Sequence, residues 1–379
     1  MRQAIVRLTL TDFRNYEVLR LESTADTVVL TGPNGAGKTN LLEAVSLLAP
    51  GRGLRGASFE AMARIGGPGR WAIAAIVTAE DESTIGTSWT RPSGDDESSS
   101  RQVVIDGVPQ RSSGLLAQDV SMLWLTPSMD GLFAGPASER RRFFDRLTAA
   151  FDPEHAARLS VFEKAMRERN LVLASGSPDP AWLSGLEAHM AEATAAIAAV
   201  RNAAIETLQG CIDGRRGESR FPWAILRIEG TQEAALKRMP AVQVEDEYRK
   251  ILADSRGMDG AAGRTLNGPH RSDFQVIHGP KAMPAEQCST GEQKALLTGL
   301  VLAQAGAVRH ATGKAPILLL DEVAAHLDRS RRKGLFEALQ GIGSQVWMTG
   351  TDAEYFADCD GNAARLHVEA ATVTNEMRI

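Results

Sequence analysis

Between residues 4 and 31 the chain alternates apolar and polar positions, with Val6, Leu8 and Leu10, then Leu19 and Leu21, before the unbroken run Val28, Val29, Leu30. Alternation marks a strand with one wet face, and a solid apolar run marks a strand covered on both faces. Two half-exposed strands feeding a buried one are therefore predicted. Further strands are expected over 71–78, 83–90, 102–106 and 120–125, interrupted by a polar, acidic loop at 93–100 with no apolar anchor. The middle of the chain turns to Ala, Leu, Glu and Arg at helical spacing over 139–150, 153–174 and 181–212, with Asp152 and Pro153 placed as N-cap and N1. The two longer stretches meet across an SGSPDP turn, which predicts an antiparallel helical hairpin with arms on the order of 30 to 45 Å. A strand is expected at 221–228, a helix broken near Pro240 over 233–252, and strands again at 274–278, 316–320, 345–349 and 364–368. The chain reads as α/β, with lobes over 1–138 and 266–379 and an inserted, mainly helical arm domain over 139–265.

With 379 residues, 43% hydrophobic and 23% charged, the chain has room for two or three structural units; a disulfide miniprotein, a disordered chain and an integral membrane protein do not fit. Its 42 basic and 47 acidic side chains leave a net charge of −5, so any nucleic-acid contact must come from a local patch. Cys211, Cys288 and Cys359 stand apart with no CxxC spacing, which argues against a disulfide framework and a zinc site. The first residues lack an apolar signal core, and no stretch reaches the ~18 apolar residues of a membrane span, so a cytoplasmic protein with no membrane partner is expected.

Candidate chemistry begins directly after the buried strand. Gly32, Pro33, Asn34, Gly35, Ala36, Gly37, Lys38 and Thr39 satisfy GxxxxGK[ST] between a strand and a helix expected over 40–48. In that context backbone N–H groups wrap phosphates, Lys38 reaches the β and γ phosphates of ATP, and the Thr39 hydroxyl is a ligand for Mg²⁺. The apolar strand at 317–320 delivers Asp321 and Glu322 at its carboxyl end, as a Walker B pair would: Asp321 for the metal, Glu322 to polarise the attacking water. Ser289, Gly291, Glu292 and Gln293 open an apolar helix at 295–308 and form a second anion site; a single chain with two such sites suggests that the second serves the nucleotide of a twin subunit in an ATP-dependent homodimer. The competing account is an ordinary capping serine. Asp328 follows in a D-loop-like AHLD, and Thr349, Gly350 and Thr351 hold the switch position.

Two basic clusters, Arg140, Arg141, Arg142 with Arg146, and Arg329, Arg331, Arg332 with Lys333, are either solvated helical faces or phosphate contacts. Arg14, beside the P-loop strand, is either a nucleotide contact or a hairpin-turn residue.

The ordered set LTDFRNY, GPNGAGKTN, GRGLR, ERRRFFDR, GPHRSDF, STGEQK and LLLDEVAAHLD resembles the RecF family of DNA replication and repair proteins, related to SMC heads, over essentially the full chain. The resemblance implies an ABC/SMC-type P-loop ATPase head, ATP-dependent dimerisation, and binding of single-stranded, double-stranded and gapped DNA. It further implies slow DNA-stimulated hydrolysis and cooperation with RecR and RecO in loading a recombinase. Two departures stand out: Ser272 precedes Asp273 where relatives carry paired aspartates, and Glu322 follows Asp321 where they carry two aspartates; His270 and Arg271 receive no role. The 249 residues between Thr39 and Ser289 leave no room for a long coiled coil. The alternatives are the nucleotide-binding subunit of an ABC transporter and another SMC-like head ATPase.

Overall fold

The computed structural model describes residues 2–92, 100–175, 179–359 and 362–375. Most of the loop expected at 93–100, and the centre of the SGSPDP turn, lie outside these. Two compact units emerge, one from Met1–Asp130, Arg215–Phe221 and Leu297–Ile379, the other from Gly131–Gly214 and Pro222–Leu296.

In the first unit, Ala4–Phe13 (β1) pairs antiparallel with Tyr16–Glu22 (β2), setting Leu8 opposite Leu21 and Leu10 opposite Leu19. Thr27–Thr31 (β3) and the helix Lys38–Ser46 (α1) follow. Arg70–Thr78 (β4), Glu82–Thr90 (β5), Gln102–Ile105 (β6) and Val108–Pro109 (β7) complete an antiparallel sheet ordered β2-β1-β4-β5-β6-β7. Along β4 the inward positions are Trp71, Ile73, Ala75 and Val77, the period-2 signal of the sequence. The short helix Leu116–Asp119 (α2) leads to Met122–Leu125 (β8).

The second unit opens with Ala137–Ala149 (α3), His155–Ala174 (α4) and Pro180–Gly214 (α5). The second helix starts two residues later than expected, because Asp152 turns the chain first: its carboxylate accepts the Glu154 N–H and its carbonyl the His155 N–H. The 35 residues of α5 give about 52 Å, longer than the predicted arm. Ala224–Glu229 (β9), Thr231–Ala235 (α6), Ala241–Asp254 (α7) and Arg256–Ala262 (α8) follow, with Pro240, which lacks an N–H, at the predicted break. The hairpin is not a bare arm. Tyr248 and Leu252 of α7 pack into the apolar seam formed by Phe162, Val172, Leu186 and Met190. Two buried arginines brace it: Arg169 reaches Glu187, Asp259 and the Leu252 carbonyl, and Arg201 reaches Asp145, Glu233 and the Pro269 carbonyl, all at 2.7–3.0 Å. Asp273–His278 (β10) pairs antiparallel with β9 on one side and with Met283–Pro284 (β11) on the other. That pairing ties residues 266–296 to the helical unit, so the boundary expected at 265/266 falls at 296/297, and the one expected at 138/139 falls at 130/131.

Helix Thr290–Thr312 (α9) carries the chain onward to Ile317–Leu320 (β12), Arg329–Ile342 (α10), Val346–Gly350 (β13), Ala364–Glu369 (β14) and Thr372–Asn375 (β15). The second sheet of the first unit runs β15-β14-β3-β13-β12-β8, with the five strands from β14 to β8 parallel. Parallel strands need cover on both faces, and β3, β12 and β13 are accordingly almost wholly buried. Their carboxyl ends lie on one rim, where open α/β sheets hold ligands.

Candidate functional site

Three chain segments leave that rim. The first is the loop after β3. Gly32, at φ +138°, sits where a Cβ would overlap the Val368 carbonyl, and Gly37, at φ +117°, where one would strike Asn15 and Tyr16. Pro33, Asn34 and Gly35 are exposed, while Ala36 is buried. The first turn of α1 has no side-chain cap. Its N-cap is Gly37, which has no side chain to satisfy the first N–H groups, the arrangement that receives anions. The Lys38 ammonium lies buried along the loop, donating to the carbonyls of Gly32 (2.7 Å) and Pro33 (3.1 Å).

Asp321 and Glu322 follow β12, and Thr349 lies near the end of β13. The Thr39 hydroxyl donates to Asp321 Oδ1 at 2.9 Å, and the Thr349 hydroxyl donates to the same oxygen at 2.7 Å while accepting the Glu322 N–H at 2.9 Å. Glu322 holds φ +54°, a left-handed conformation that a non-glycine residue adopts at a cost, and its carboxylate stands 3.6 Å from the Lys38 ammonium. A hydroxyl and a carboxylate, both hard oxygens, thus converge beside a cation and an open helix N-terminus. That donor set fits Mg²⁺.

Arg14 is not aimed at this space. It sits in the β1–β2 turn at φ +54°, and its guanidinium grips the fully buried Glu43 of α1 through two bonds of 2.8 and 2.7 Å, with a third to the Ala61 carbonyl. The turn reading of Arg14 is the one the geometry supports: it pins the helix that carries Lys38 and Thr39. Arg55 shares Glu43 at 3.2 Å and bonds Asn40 at 2.8 Å.

Ser289 and Gly291 are exposed at the start of α9, in the other compact unit. The Ser289 hydroxyl and N–H both donate to Glu292 Oε2, at 2.9 and 3.1 Å, and Lys281 pairs with the other carboxylate oxygen at 2.5 Å. Lys281, then the Ser289 groups, hold the Glu292 carboxyl down at about 2. Gln293 departs from its expected role: it is buried and donates to the carbonyls of Cys288 and Glu286, so it closes the helix start from inside. Asp328 caps α10, accepting the Arg331 N–H at 2.8 Å.

The first arginine cluster is also largely internal. Arg140 forks onto Asp273 with bonds of 2.9 and 2.7 Å, and Arg141 donates to the Ser272 carbonyl at 2.7 Å; Arg142 alone of the three is exposed. Ser272 itself donates to the buried Glu233, and His270, stacked on Phe162, contacts the Thr265 carbonyl, so both serve the helical unit. Sequence reasoning placed Thr349 at the switch position without its bonds to Asp321 and Glu322, and missed the role of Glu43. An acid inside the apolar LLEAV face of α1 was the available signal for Glu43.

Residues 4–374 match the family model described as the RecF/RecN/SMC N terminal domain, which places the chain in the class of SMC-related heads. It is 50% identical to the DNA replication and repair protein RecF of Rhizobium etli (strain CIAT 652) over 93% of this chain and 94% of that one, and 50% identical to RecF of Agrobacterium fabrum over 98% of both. A solved structure of the recombination mediator protein RecF-ATP in the RecFOR pathway superposes with TM-score 0.86 at 22% identity, covering 99% of this chain and 98% of that one. The chain belongs to the RecF family of DNA replication and repair proteins. Among the described residues no helix is long and apolar enough to cross a membrane.

Proposed function

We propose that this protein is an ATP-gated DNA clamp whose product is a bound state more than turnover. The observation that carries the reading is the convergence of Lys38, Thr39, Asp321, Glu322 and Thr349 on one sheet rim, with Ser289 exposed in the other unit. Residues 32–39 bind the triphosphate of ATP through backbone N–H groups and Lys38. Thr39 and Asp321 hold Mg²⁺, which when bound supplies charge neutralisation at the phosphates. Glu322, kept in place by the Thr349 bond to its N–H, accepts a proton from the attacking water. Ser289 and Gly291 of a second copy close over the nucleotide, Glu292 moves aside, and Asp328 lies in the D-loop that follows Walker B. Two protomers so joined enclose gapped or junction DNA; hydrolysis, slow and stimulated by DNA, reopens them, and RecO and RecR cooperate in loading a recombinase in the cytoplasm.

Sedimentation with saturating ATP and Mg²⁺ tests this directly. Glu322→Gln is expected to accumulate dimer, because water is no longer activated while the phosphate contacts persist; a variant that stays monomeric refutes the clamp. Ser289→Arg is expected to abolish the dimer while leaving monomer ATP affinity within about twofold, since the P-loop is untouched.

A further inference from the structure

The segment Arg215–Phe221 and helix α10 belong to the same compact unit, along with α9 beyond residue 296, and they gather cations that no function above uses. The stem of Arg220 lies on Gly334 of α10, where any Cβ would collide with it; its guanidinium donates to Ser330 at 3.0 Å and stands 3.5 Å from Glu337. The next residue, Phe221, is buried. Upstream, the Arg215 guanidinium lies beside Gly306 of α9, and Arg309 ties α9 to the end of α10 through the carbonyls of Gly341 and Ile342. The segment is therefore a strap seated on Gly334 of α10, with Arg215 reaching α9 at Gly306.

Arg215, Arg216, Arg220, Arg309, Arg329 and Lys333 are all exposed, against Glu218, Asp328 and Glu337, on a chain whose overall charge is −5. A solvated helical face is the ordinary account of such a run. It does not explain cations drawn from three separate segments, one of them anchored where a helix has given up a side chain to receive it. The absence of apolar anchors narrows the partner: protein interfaces have apolar, often aromatic, cores, and none of the exposed large hydrophobic residues described, from Val18 to Met258, falls on this surface. A polyanion needs no such core, because phosphate contacts and counterion release supply its affinity.

We propose that this strap and the adjoining faces of α9 and α10 receive the phosphate backbone of DNA, in place of the Arg140 to Arg142 cluster. The assignment rests on the DNA-binding reading above and adds the location. It is tested by binding of the full-length protein to a short gapped duplex across a salt series. Each neutralised phosphate adds ~0.9 to the magnitude of the log K against log salt slope, so Arg215→Gln with Arg216→Gln is expected to lower that magnitude by about 1 to 2. Arg329→Gln with Lys333→Gln is expected to do the same, which keeps the test sound should one pair fold poorly. Slopes equal to the parent's in both, with parent binding intact, overturn the location alone. No salt-dependent binding by the parent overturns the DNA reading itself. A loss confined to an acidic protein partner, with DNA slopes unchanged, assigns the surface to protein and also overturns the proposal.

Discussion

Thr349 has one hydroxyl and two duties, donating to Asp321 and accepting from the Glu322 amide. A hydrogen bond to a charged group contributes about 1.5–3 kcal/mol. If the bond orients Glu322 for the water, Thr349→Val is expected to slow hydrolysis by roughly 10- to 100-fold, with ATP affinity nearly unchanged, since Lys38 and the α1 amides remain. Single-turnover hydrolysis beside nucleotide titration separates the two; an equal loss in both would show that Thr349 only supports the fold. Glu43 poses the converse case. It is fully buried and meets the partly exposed Arg14 and Arg55, so Glu43→Ala removes charge-assisted hydrogen bonds but leaves cations that water can reach, and it is expected to cost about 1.5–3 kcal/mol in urea unfolding. A cost below about 1 kcal/mol would mean that α1 does not depend on this tie. At Ser289, the hydroxyl proton is held by the Glu292 carboxylate, which in the proposed dimer would compete with a phosphate for it. Glu292→Gln keeps an acceptor for the helix cap but removes the competing charge, so ATP-dependent dimers are expected at lower protein concentration than in the parent, by severalfold. Because Glu292 is held at about 2, against a usual value near 4.3, its negative form persists throughout the range from pH 8 to 4. Dimer strength in the parent is not expected to vary with this group there.

At the scale of elements, α1 has opposite needs at its two ends. The N-terminal turn has only Gly37 as its cap, whereas the chain at and just past the C-terminus is held by Arg101, the residue before β6, which donates to the carbonyls of the C-cap Leu47 and of Ala49 (3.3 Å) and Gly51 (2.8 Å) beyond it while also bonding Thr87. Burial pushes this guanidinium down to about 10, still charged at neutral pH, which suits the negative end of a helix. The motif itself was legible because GxxxxGKT and its flanking strand and helix are contiguous, so local chemistry determines them. The strands β4 and β12 were legible for the same reason: their apolar spacing is local. What was not legible depends on partners far apart in the chain. Nothing near Arg140 announces Asp273, 133 residues on, and Arg14 meets Glu43 only once two sheets have formed. The shifted domain boundary has the same origin, since β10 looks like a strand of the ATPase lobe until it pairs with β9.

Across the whole molecule, charge is buried unevenly, and this makes stability depend on pH. His270 packs on Phe162 in the helical unit and faces Arg141 and Arg271; burial, reinforced by those two cations and opposed by the Thr265 carbonyl and Asp259, lowers its pKa below the ordinary 6.5. A base whose folded pKa is depressed takes up its proton more readily when unfolded. Its contribution is therefore fully present above about pH 6.5 and is lost as pH falls toward the folded value. The parent is expected to lose stability between pH 7 and 5 with a slope that His270→Gln lessens by up to about 1.4 kcal/mol per pH unit, the limit for one proton. Urea unfolding at several pH values measures it, read from the helical unit, since the two compact units need not unfold together. Arg201, by contrast, is held charged by Asp145 and Glu233 despite its burial, so it does not titrate in this window. Equal slopes in parent and variant would therefore place the acid sensitivity elsewhere.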